Sequence, residues 1–111
     1  MAISDTMLST LSMIPWHTVA DHFGLVSWST VRTKHLGKDI FAGIKNMFGG
    51  ELTSYTELLE EARNESIGRM IGQAEELGAN AIVNIRMATS SVTTWASEVY
   101  VYGTAVRVEK A

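Results

Sequence analysis

The sequence contains no cysteine, which rules out a disulfide framework, a thiolate nucleophile and a thiolate-ligated metal. It has one proline, Pro15, so almost nothing interrupts the backbone after the first fifteen positions. Basic residues are few: nine Lys and Arg are scattered along the chain, and the net charge of −3 argues against a nucleic-acid surface, which needs clustered cations to release counterions. No apolar run approaches the roughly 20 residues of a membrane-spanning helix. The opening MAISDTMLSTLSMI has no basic start and is broken by Asp5 and several hydroxyls, unlike a signal peptide, and the cytoplasm is the expected compartment.

What is present suits one folded domain. The 111 residues leave no room for a second core, and 46% hydrophobic residues against 19% charged exclude disorder as the main content. Residues 1–13 read as a Ser/Thr-rich, Met-spotted flexible lead that frays, and residues 14–111 as the domain.

The run WHTVADHFGLVSWSTVRT at 16–33 is rich in β-branched and aromatic residues and reads as a strand, with Gly24 marking a bulge or a close backbone approach. Asp39 can cap a short helix carrying Ile40, Phe41, Ile44, Met47 and Phe48, which Gly49-Gly50 would end. A longer helix opens at the capping box Ser54-Tyr55-Thr56-Glu57. Its apolar stripe comprises Tyr55, Leu58, Leu59, Ala62, Ile67, Met70, Ile71, Ala74 and Leu77, and Gly78 closes it. Gly68 and Gly72 lie opposite that stripe, as a close approach for another backbone or as tolerated surface glycines.

Residues 81–89 alternate as a half-buried strand, with Val83, Ile85 and Met87 on one face. TSSVTT reads as a link to a last strand at 98–108. There, Val99, Val101 and Ala105 oppose Tyr100, Tyr102, Val106 and Val108, so neither face is polar. A single helical layer covers one face of a small antiparallel sheet, so the second apolar face predicts a partner chain. The expected architecture is α+β: strand, helix, helix, strand, strand, with one long and one short helix on one face of an antiparallel sheet in a homo-oligomer.

Several segments, in this order, resemble the YbjQ-like family of small bacterial proteins, which carries a heavy-metal-binding label. They are Phe-Ala-Gly-Ile at 41–44, Gly49-Gly50, Tyr55 with the following Leu-Leu-Glu-Glu-Ala-Arg, Ala-Glu-Glu-Leu-Gly-Ala-Asn-Ala-Ile-Val at 74–83, and Gly-Thr-Ala-Val at 103–106. The resemblance spans about residues 16–108. It implies a curved antiparallel sheet with packed helix, assembly into a ring-shaped homopentamer, and binding of a divalent or other heavy metal ion, with no ligand set to carry over.

The candidate metal ligands are His22, His17 and Asp21. On a regular strand His17 and His22, five apart, point to opposite faces, so they chelate together only if a bulge changes the phase; a ring supplying one His22 per subunit is the other route. Exposed or hydrogen-bonded histidines are the plainer reading of these residues and of His35. Met47, Met70 and Met87 read as packing residues rather than copper ligands. The acidic run Glu57, Glu60, Glu61, Glu65 reads as a solvated helix face, with Glu65 and Arg69 as an i,i+4 pair. No nucleophile-and-base set or phosphate loop appears, and catalysis is not expected. A further alternative is a flavin-like small ligand held between subunits by Trp28, Trp95 and Tyr102, although strand aromatics are more often interface filler.

Overall fold

The computed structural model describes residues 5–33, 49–93 and 96–111. The short helix expected after Asp39, along with His35 and Trp95, lies outside them.

Four strands form one sheet in the order β1-β3-β4-β2. They are β1 (Met7–Leu8), β2 (His17–Thr33), β3 (Ala81–Thr93) and β4 (Ala96–Lys110), with one helix, α1 (Gly49–Glu76), between β2 and β3. β4 runs antiparallel to both β2 and β3, but β1 pairs parallel with β3, Met7 against Ala81 and Leu8 against Ile82. The sheet is therefore mixed rather than antiparallel, and one described helix lies on one face.

The lead that was expected to fray is tied down where it is described. The Met7 amide donates to Asn80 O at 3.0 Å and the Ser9 amide to Ile82 O at 2.9 Å. Leu11 O accepts from the Asn84 amide at 2.8 Å, and Thr10 O from Arg86 Nη1 at 2.8 Å. Sequence periodicity misses this segment because two residues are too short to show a pattern. Its order comes from β3, which offers an open ladder edge, and from Ile14, buried in a cluster with Ala81, Val83, Val106 and Val108 against which Met7 packs.

The helix is longer at its start than its capping box indicated. Its 28 residues, about 42 Å of helix, begin with Gly49-Gly50, so the pair read as a stop is the first turn and Ser54 lies inside. Local propensity opposes this by only about 1 kcal/mol per glycine, which tertiary context can outweigh. At the other end Gly78 has φ +92°, and the Ala79 amide reaches back to Ala74 O at 3.0 Å, closing the helix as expected.

Met70, Ala74 and the sheet residues Val26, Ile82, Ile85, Val101 and Ala105 build the main core under α1, with Phe23, Ile67 and Ile71 packed around it. The strands outrun their predicted ends. TSSVTT, read as a link, continues β3 to Thr93, since Ser, Thr and Val tolerate extended backbone. Leu77, placed on the apolar stripe, is 48% exposed beyond the last helical turn.

Candidate functional site

β2 carries the candidate ligands, and its irregularities decide where they point. The β2–β4 register shifts between Val19 and Asp21 and again between His22 and Gly24, where Gly24 takes φ +98°. His17 pairs with Lys110, Asp21 with Arg107 and His22 with Val106. Lys110 and Val106 share one face of β4 and Arg107 the other, because alternate residues alternate faces. The first bulge thus brings His17 and His22 to the same face, opposite α1, and leaves Asp21 on the other.

Sharing a face does not bring the histidines together. Four register positions along β4 separate them, about 13 Å. His17 Nδ1 lies 2.8 Å from Pro15 O. Asp21 Oδ2 accepts from Arg107 Nε at 2.7 Å, and Arg107 Nη1 donates to Glu109 at 2.9 Å. These bonds, Asp21's first, raise the Arg107 pKa above its ordinary value. Among the described residues no three His, Cys, Asp or Glu converge on one point. Within one chain, His17, Asp21 and His22 do not meet at one point.

Between α1 and β2 the helix side is joined by specific contacts that the sequence did not signal. Ser66 Oγ, fully buried, donates to Thr30 Oγ1 at 2.9 Å. Glu65 pairs with Arg32 at 2.9 Å rather than with Arg69, whose guanidinium lies 5.7 Å from the Trp28 ring centroid. Both side chains reach to β2 because α1 lies across β2 and β4 and barely touches β3. Met87, on the helix-side face of β3, is consequently 48% exposed rather than packed.

The opposite face divides in two. At one end Val106 and Val108 are covered by the chain's own lead, so the apolar residues there need no partner. At the other end Leu25, Val31, Tyr100 and Tyr102 remain open, Leu25 74% exposed, with the two tyrosine rings stacked at 6.2 Å and 18°. The Tyr-x-Tyr spacing was the available signal for that stack. Ser27 pairs with Tyr102, which places the neighbouring Trp28 on the other face, so Trp28 and Tyr102 cannot form one stacking platform within one chain.

The family model described as "Putative heavy-metal-binding" matches residues 6–109. The chain belongs to this YbjQ-like family. Relatives include a UPF0145 protein of Hahella chejuensis, 55% identical over 103 residues, covering 93% of this chain and 99% of that one. A UPF0145 protein of Thermus thermophilus is 50% identical over 111 residues, covering 100% and 97%, and one of Archaeoglobus fulgidus is 48% identical over 104 residues, covering 94% and 96%. None of these names states a reaction. A crystal structure of a DUF74-family protein of unknown function from Pediococcus pentosaceus superposes with a TM-score of 0.58 at 17% identity, over 94% of this chain and 98% of that one. It supports the α+β fold. No helix among the described residues is long and apolar enough to cross a membrane.

Proposed function

We propose that the protein works as a homo-oligomeric ring, a pentamer, that binds or scaffolds rather than catalyses. The observation carrying this reading is the open half of the outer sheet face, where Leu25, Val31, Tyr100 and Tyr102 have no cover among the described residues.

Heavy-metal binding, in this reading, belongs to the assembly. One subunit offers His22 exposed but alone, and symmetry multiplies it. Native mass spectrometry of tag-free protein tests the proposal: a pentamer is expected, with any retained ion seen as added mass. A monomer at micromolar concentration would overturn it.

A further inference from the structure

Among the described residues the sheet ends in β2 on one side and in β3 on the other, where β1 and the lead after it cover the edge as far as Ile85, whose amide donates to Ser9 O at 3.1 Å. Main-chain groups along an antiparallel strand alternate between its two neighbours. The Ser27 amide donates to Gln73 Oε1 at 3.1 Å, so it points away from β4. By alternation Ser29 and Val31 also present their main-chain groups outward, while Trp28 and Thr30 bond to β4. Tyr100 and Tyr102, opposite Ser29 and Ser27, then turn theirs to Ala88 and Arg86. That leaves Met87 and Thr89 presenting outward on the far edge. Among the described residues nothing pairs with these two stretches, and they are level, since Trp28, Val101 and Met87 form one row across the sheet and Thr30, Val99 and Thr89 another.

We propose that residues 29–31 of one copy pair in parallel with residues 87–89 of the next, so that the sheet runs head to tail around the ring. This rests on the assembly reading above and adds an edge contact to it, separate from the open outer face of Leu25, Tyr100 and Tyr102. β2 and β3 point the same way, because each is antiparallel to β4. A rotated copy that keeps its helix on the same side therefore presents β2 parallel to β3. In a parallel ladder a residue that bonds across sits opposite one that does not, so the bonding residues of the two strands carry side chains on opposite faces. That is the arrangement here: Ser29 and Val31 face away from α1, and Met87 and Thr89 face its side. An antiparallel β2–β3 junction with both helices on one side would oppose bonding residues with mismatched faces.

The space beside β3 fits the same occupant. α1 packs on β3 only as far as Ile85, and beyond it an open groove of about 410 Å³ runs between Leu59, Glu60 and Arg63 of the helix and Met87 and Thr89 of the strand. An incoming β2 brings Trp28, with its own Arg69 above it, to the rim of that groove. Gln73, by occupying the Ser27 amide, limits the junction to the residues beyond it.

Proline tests the junction without disturbing the subunit's ladder, because at Ser29 and Thr89 it removes an amide that points away from β4. Ser29→Pro and Thr89→Pro are each expected to give monomers in native mass spectrometry, with far-UV circular dichroism unchanged. Mixed together they should form a 1:1 heterodimer, since one retains an intact β2 edge and the other an intact β3 edge. A dimer of Thr89→Pro alone would show a two-fold β2–β2 contact instead, and wild-type assembly by both variants would remove the edges from the interface; either overturns the proposal. If proline unfolds the chain, hydrogen exchange on assembled wild type decides. The Ser29, Val31, Met87 and Thr89 amides should exchange at least about tenfold slower than solvent-open edge amides, and fast exchange would sink the idea. A monomeric wild type would instead overturn the ring itself.

Discussion

Arg107 holds Asp21 across the β2–β4 ladder, Nε to Oδ2 at 2.7 Å, on the face opposite His17 and His22. The acidic member of the candidate metal set is thereby engaged and turned away from the imidazoles. If uptake depends on His22 shared between copies, zinc titration by calorimetry should show His22→Ala losing the bound ion and Asp21→Asn retaining it. Uptake that survives His22→Ala would remove this histidine from metal binding. The ion pair should not respond to pH near neutrality on Arg107's account. A raised folded pKa gives stability that is complete below the unfolded value and lost only as pH climbs through the folded one, far into the alkaline range.

The buried hydroxyl pair between helix and sheet should be felt as a unit. Ser66→Ala strands Thr30 Oγ1 without its donor and should cost about 1–3 kcal/mol in urea unfolding. Adding Thr30→Val removes the stranded oxygen and should recover part of that loss. A double variant less stable than the sum of the two singles would contradict the pairing.

Gly103 is where the sheet admits no side chain. A Cβ there would stand 2.7 Å from Ile82 Cγ2, 3.1 Å from Val83 O and 3.2 Å from Ile85 Cγ1. Gly103→Ala should destabilise by about 1–3 kcal/mol through overpacking, read from the denaturation midpoint. An unchanged midpoint would mean that the neighbouring strand yields freely.

Removing residues 1–13 separates a frayed tail from a working strand. The deletion takes away β1, Met7 from the second apolar cluster, and the Thr10 acceptor of Arg86. It should lower the melting temperature by more than about 4 °C, the shift that corresponds to about 1 kcal/mol in a domain of this size. No change would return the lead to the status of a loose end.

By itself, the amino-acid sequence pointed to the family through the order of its motifs, and to the long helix, the three long strands, the closure at Gly78 and an irregularity at Gly24, because these elements follow from local backbone preference and from periodicities of 2 and 3.6 residues. Contacts between positions far apart were not legible in it. A bulge of one residue put His17 and His22 on a common face, and the arm of Arg107 took Asp21 from them. Only the tertiary structure decided that Glu65 and Arg69 turn to β2, that the lead covers Val106 and Val108, and that β2 and β3 end as level open edges. Each of these depends on register and on which surface lies opposite, quantities that are set when strands pair and that no single segment encodes.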